Sequence, residues 1–169
     1  ARTEALAALA ERLPALLDGT DRPRDNAERV DLGQMCYDKK LPAAALRFRG
    51  EALDDDPRLG ESRTLQIRYN TACCALLVAD GRGDDATALD EAKKSALRRR
   101  ALEWLRAELG TWSRIVESGT PLDREKALSI IRWWTRDTDL ASVRGAEALA
   151  KLPESESKDW RSFWSEYDA

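Results

Sequence analysis

The chain has 169 residues, of which 43% are apolar and 35% charged, and its formal net charge is −3. This length and composition fit one soluble domain with its own core, and the slight acidity does not favour nucleic-acid binding. No stretch approaches the ~18 apolar residues that a membrane span requires, and no signal peptide is recognisable, so we expect no membrane insertion by this segment. The first residue is alanine rather than methionine, which leads us to expect a piece of a longer chain.

The sequence contains no histidine. This excludes Ser-His-Asp and Cys-His catalytic arrangements, imidazole zinc sites and the usual general base near neutral pH. The three cysteines, Cys36, Cys73 and Cys74, form neither a disulfide framework nor a CxxC pair. We therefore predict buried free thiols and no metal or cofactor site. Unpaired thiols favour a cytoplasmic location, although the parent chain could be membrane-anchored.

Helical periodicity built on Ala, Leu, Arg and Glu runs through most of the chain, whereas strand signals are nearly absent. Pro14 should kink the first helix, Pro42 and Pro121 suit first helical positions, and Gly110 offers a break in the longest helix. The predicted helices, in chain order, cover residues 3–17, 25–38, 42–53, 60–79, 87–117, 121–135, 146–152 and 153–167.

Tryptophan spacing predicts how the C-terminal helices pack. The last helix carries an aromatic stripe at helical intervals, which predicts a docked helix rather than a frayed tail. Trp133 and Trp134 are adjacent, so one of the two must be more exposed than the other. The stripe consists of Trp160, Phe163, Trp164 and Tyr167.

Residues 25–57 carry the markers of a helical repeat. Small residues let two helices cross closely, and a proline stops the second helix. Leu32-Gly33, Ala45, Ala52 and Pro57 lie at the offsets of the ~34-residue tetratricopeptide repeat, which this segment resembles.

A second repeat resembles the same family less regularly. Arg68–Cys73 is similar to its usual opening, but the partner helix at Ala101–Leu105 follows about seventeen extra residues. The resemblance implies an all-α fold in which antiparallel helix pairs stack as a right-handed α-solenoid of about seven to eight helices.

Four segments in this order resemble the C-terminal helical region of large bacterial eukaryote-like serine/threonine protein kinases. The resemblance covers nearly the whole chain. It implies a region that lies downstream of a kinase domain, because the glycine-rich loop, His-Arg-Asp and Asp-Phe-Gly motifs of the kinase are missing here. The segments are Glu11–Leu17, Arg68–Cys73, Ala101–Arg106 and Ala148–Pro153.

The predicted organisation is one helical domain over residues 1–169. Residues 1–24 form an N-terminal helix and loop, and residues 25–57 the tetratricopeptide-like repeat. Residues 58–118 form the second helical pair with its insertion, and residues 119–169 form C-terminal capping helices.

The resemblance also implies candidate binding residues. Tetratricopeptide arrays bind peptides in the groove lined by the first helix of each pair. Asn70 matches an asparagine of the family's carboxylate clamp, but Val30 and Gln34 replace other clamp residues, so no such clamp is predicted. The groove candidates are Gln34, Tyr37, Asp38, Gln66, Tyr69 and Asn70.

A second candidate is the basic run Arg98, Arg99 and Arg100, which could dock an acidic peptide or a phosphopeptide. A solvated helix face that pairs with nearby acidic residues explains the run equally simply.

We expect a non-catalytic protein–protein interaction or scaffold module with a protein or peptide partner and no cofactor. One alternative is a structural spacer or self-association domain without a ligand. Another alternative is an enzyme that uses carboxylates or thiols, although no spacing in the sequence indicates a pair of carboxylates that converge in a pocket.

Overall fold

The computed structural model describes residues 2–168, with side chains through Tyr167, and within this range 77% of the residues are helical and no strand occurs. The all-α prediction is confirmed. No helix in this range is both long and apolar enough to cross a lipid bilayer. The α-helices are α1 (Arg2–Asp18), α2 (Asn26–Asp38), α3 (Pro42–Asp55), α4 (Ile67–Ala79), α5 (Glu91–Ser118), α6 (Pro121–Trp134), α7 (Ala146–Leu149) and α8 (Glu154–Asp168), and 3₁₀ helices cover Pro57–Glu61 and Thr138–Val143.

Side-chain caps fix the starts of three helices. Asp25 accepts a hydrogen bond from a backbone amide of α2, Asp90 does so for α5, and Thr120 does so for α6. Each of these bonds satisfies an amide that has no partner within its helix. The long helix therefore begins at Glu91, not near residue 87 as predicted.

The prediction of one helix over residues 60–79 is wrong. A 3₁₀ helix ends at Glu61, and α4 begins only at Ile67. Between them the hydroxyl of Ser62 accepts from the amide of Leu65, and the side-chain amide of Asn70 donates to the carbonyl of Leu65 at 3.1 Å. Such side-chain bonds offer the backbone an alternative to helix. Gln66 then adopts a left-handed conformation with φ 43°.

Helix α5 continues without a break through Gly110, against the expectation from that glycine. Glycine in a helix costs about 1 kcal/mol relative to alanine. Leu109 and Trp112 are buried on either side of Gly110, and their packing outweighs this cost. Helix α1 likewise runs unbroken past Pro14, whereas α7 stops at Leu149 instead of residue 152.

Helix α4 lies at the centre of the core. It packs against α3, α5 and the second 3₁₀ helix, and all its residues except Arg68 and Asn70 are buried. Its apolar residues join the side chains of α5, α6 and α8 in the main cluster, whereas α1, α2 and α3 enclose a second cluster.

Helix α8 is docked on this core, as its aromatic stripe predicted. Trp160 and Phe163 are buried, and the indole nitrogen of Trp164 donates to the carbonyl of Val143 at 2.7 Å. A partly buried ion pair adds to the contact, because Arg98 of α5 donates to Glu156 of α8 at 2.6 Å.

We predict that Trp160→Ala lowers the free energy of unfolding by ~3–5 kcal/mol, because Trp160 is only 1% exposed. The matched variant Trp133→Ala should change it by less than about 0.5 kcal/mol, because Trp133 is 57% exposed. Urea unfolding followed by far-ultraviolet circular dichroism measures both. Equal losses would show that α8 does not pack as described.

Candidate functional site

The face of α2 and α4 that carries Tyr37 and Tyr69, where the groove is predicted, receives a segment of the same chain. We call residues 137–143 the covering segment. The Tyr37 hydroxyl donates to Asp139 and the Tyr69 hydroxyl donates to Asp137, each at 2.6 Å. Leu140 within the segment is fully buried. The protein itself therefore covers this part of the predicted groove.

The covering segment is held by a connected polar network. Asp137 accepts from the Tyr69 hydroxyl and from the backbone amide of Asp139, the latter at 2.9 Å. Burial raises the pKa of Asp139, although its hydrogen bond from Tyr37 lowers it. Burial also raises the pKa of both tyrosines, so each hydroxyl is a neutral donor at physiological pH.

Cys73 lies next to the two carboxylates. Ligand atoms of Cys73, Asp137 and Asp139 lie within 4.8 Å of one another, a grouping that the sequence did not reveal and that could offer three ligands to a metal ion. Burial, however, raises the pKa of the Cys73 thiol well above its usual value. Cysteine binds a metal ion as a thiolate, and the two carboxylates already accept hydrogen bonds from the protein. The cluster therefore fits a buried hydrogen-bonded network.

Arg49 fixes the middle of the same face. Its side chain lies against Gly33, where a Cβ atom would collide with Arg49 Cγ. The guanidinium donates to Gln34 at 2.9 Å and to the sulfur of Cys74 at 3.2 Å. Gln34 in turn donates to Asp38 at 2.8 Å. Gln34 and Asp38 are exposed but engaged with neighbouring side chains.

A cleft of about 460 Å³ lies between the start of α4 and the C-terminal half of α6. We call it the Trp133 cleft. Among the described residues, neither Arg132 nor Arg136 forms a side-chain ion pair or hydrogen bond. Its lining consists of Gln66, Ser129, Ile130, Arg132, Trp133 and Arg136.

A second cavity of about 420 Å³ lies at the end of α2, beside Tyr37 and Asp38. Lys40 and Arg82 line it together with Asp139. Arg82 donates to the carbonyl of Thr138 at 3.2 Å, which ties the loop after α4 to the covering segment. The cavity thus opens beside the filled part of the groove.

The predicted basic patch does not form as a unit. Arg98 is only 5% exposed and is paired with Glu156 and Glu91, because it is part of the contact between α5 and α8. Arg100 pairs with Asp54 and lies over the ring of Trp104, leaving Arg99 as the exposed member without such partners among the described residues.

The chain matches no protein-family model, no curated protein and no solved structure. Its function has to follow from its own residues and their geometry. Of the six predicted groove residues, Tyr37 and Tyr69 bind the covering segment and Gln66 lines the Trp133 cleft. Asn70 stabilises the turn before α4. Sequence reasoning missed Asp137 and Asp139, which stand in a connector without periodicity.

We predict that Tyr69→Phe destabilises the fold by ~1.5–3 kcal/mol, because Asp137 loses a buried donor while the aromatic ring is kept. Tyr37→Phe should cost less, because Tyr37 is 38% exposed and water can replace its hydroxyl. Urea unfolding of the two variants provides the comparison. A larger loss for Tyr37→Phe would contradict the described network.

Glu108 on α5 is buried in the main core, at 2% exposure. Its Oε1 accepts from the indole nitrogen of Trp112 at 2.9 Å, and its Oε2 has no hydrogen-bond partner among the described residues. Burial raises the Glu108 pKa from 4.5 to about 6. The folded state therefore binds this proton more tightly than the unfolded state does.

A pH dependence of stability follows from Glu108. The raised pKa adds stability that is full below pH 4.5 and lost as the pH rises through about 6. Relative to Glu108→Gln, the wild-type free energy of unfolding should fall by ~2 kcal/mol between pH 4 and pH 7. Glu117→Gln, an exposed change on the same helix, should follow the wild type. If the free energies of unfolding of the wild type and of Glu108→Gln change in parallel with pH, the raised pKa of Glu108 is contradicted.

Proposed function

We propose that this protein is a non-catalytic module that binds a partner polypeptide, built from tetratricopeptide-like helix pairs. Two observations support this arrangement. Helix α2 packs against α3 and α4 packs against α5, while α3 joins the two pairs. Gly33, Ala45 and Ala52 are buried, as close helix crossing requires. The structure also extends the chain beyond these pairs through α6, α7 and α8.

The observation that carries the proposal is that the α2–α4 face already holds a polypeptide segment. Tyr37 and Tyr69 bind the covering segment through carboxylates, which is how such a face would hold another chain. The face continues beyond this segment to Gln66, where the Trp133 cleft is open. A partner would bind at this open end, beside the covering segment.

A catalytic role receives less support from the described groups. Catalytic cysteines react as thiolates. Burial raises the pKa of Cys36 and of Cys74 to about 11, and that of Cys73 also rises. Glu108 has a perturbed pKa but lies enclosed against Trp112 in the core. Neither these thiols nor Glu108 offers an accessible reactive atom.

The resemblance to kinase C-terminal regions suggests the setting in which the module works. We propose that it recruits substrates or regulators to a serine/threonine kinase domain of the parent chain. The competing role is a spacer without a ligand, and this role does not account for the exposure of Trp133.

An array of short peptides of defined sequence tests the module directly. We expect a subset to bind the purified protein, and Gln66→Gly to weaken their binding about fivefold through loss of one hydrogen bond. Glycine suits this position, because Gln66 has φ 43°. Lys40→Gly is the matched control, since Lys40 also has a positive φ, 61°, and lines the second cavity but not the Trp133 cleft.

The control variant should bind the same peptides as the wild type, and both variants should keep its melting temperature. An array without any binder would contradict the proposed function. Equal weakening by Lys40→Gly would contradict the position of the binding surface.

A further inference from the structure

Trp133 is held on the surface by the side chain next to it. Trp134 is fully buried and stacks on Tyr69 with ring centroids 5.0 Å apart. This stack fixes the rotation of α6, so the preceding residue points away from the core. Trp133 is consequently 57% exposed, the kind of exposed aromatic that marks interaction sites. Its exposure is set by the fold rather than by a mobile loop.

The charge around Trp133 has one sign. Arg132 and Arg136 line the cleft, and no acidic side chain does. Both guanidiniums lack ion-pair partners among residues 2–167. The chain as a whole carries a net charge of −3, so the charge of this site is opposite in sign to the net charge of the chain. Free guanidiniums are suited to bidentate binding of carboxylates.

We infer that the Trp133 cleft binds an acidic peptide segment that contains a large apolar side chain. The apolar side chain lies on Trp133 and Ile130, and the flanking Asp or Glu residues pair with Arg132 and Arg136. This inference rests on the proposed function and names the chemistry of the partner.

The covering segment supplies a pattern for this partner. It places Asp137 and Asp139 beside Leu140, and it binds the adjoining part of the same face. An acidic segment with an apolar residue repeats this chemistry, with arginines in place of tyrosines as the partners. A nucleic acid fits less well, because two arginines on a chain of net charge −3 provide little charge for a phosphate backbone.

Three labelled peptides test the inference by fluorescence anisotropy. The first contains Asp-Leu-Asp-Trp-Asp between glycines, the second replaces each Asp with Asn, and the third replaces Leu and Trp with Ser. We expect the acidic apolar peptide to bind roughly tenfold or more tightly than either of the others. Its affinity should fall as the salt concentration rises toward 1 M, where the Debye length is only ~3 Å.

Variants of α6 and of the turn after it locate the binding site. Trp133→Ala should weaken binding of the acidic apolar peptide roughly thirtyfold. The double variant Arg132→Gln/Arg136→Gln should remove most of the salt dependence of this binding. Leu122→Ala and Lys126→Gln are the matched controls, because both residues are exposed on α6 and neither lines the cleft. The controls should bind like the wild type. All of these positions are at the surface, so we expect unchanged melting temperatures.

Several results would overturn the inference. Equal binding of the Asn peptide, or equal weakening by the α6 controls, would remove the acidic partner from this cleft. The peptide array that tests the proposed function separates the two proposals. If only neutral or basic peptides bind, this inference fails and the proposed function stands. If no peptide binds, both fail. If a single-stranded oligonucleotide binds more tightly than the acidic apolar peptide, the cleft is assigned to a nucleic acid. If the protein forms a concentration-dependent dimer that Trp133→Ala abolishes, the cleft is assigned to a second copy of the chain.

Discussion

The contact between Tyr69 and the Trp134–Asp137 turn is the interaction on which the rest of the structure depends. The Tyr69 ring stacks on Trp134, and its hydroxyl holds Asp137. One side chain of the central helix α4 thereby sets the position of α6 and of the covering segment. Leu140 completes the core only because this segment is brought onto α4. The carboxylate of Asp137 is partly buried and needs such a donor, so this hydrogen bond and the apolar packing of Leu140 are inseparable.

The covering segment lies where the sequence predicts an open groove, so the domain has a different surface from the predicted one. A pair of helices with an open concave face would offer Tyr69 to a partner, whereas here it is an interior residue. The accessible parts of the α2–α4 face lie at its two ends, one beside Tyr37 and the other beside Gln66. Binding chemistry is thus displaced from the middle of the face to its margins, where α6 supplies Trp133 and Arg132 and the turn after α6 supplies Arg136.

Helical periodicity predicted most of the fold because apolar spacing and caps are local properties. The caps at Asp25 and Thr120 show why helix starts are readable, whereas the cap at Asp90 places the start of α5 beyond the predicted start near residue 87. The turn before Ile67 could not be read from the sequence, because it depends on a few hydrogen bonds between side chains and the backbone. Asp137 could not be found either: its partner Tyr69 is 68 residues away, and no periodic pattern connects them. For the same reason the sequence could not show that Arg98 is buried.

The close fit of Gly33 and Arg49 constrains how this protein can evolve. A side chain at Gly33 collides with Arg49, so any such replacement must follow a shortening of the arginine. Shortening Arg49 alone removes the donor to Gln34 and to Cys74 and leaves a void beside α4. Each single step is therefore unfavourable, and the two positions form an epistatic pair that substitutes together or persists unchanged.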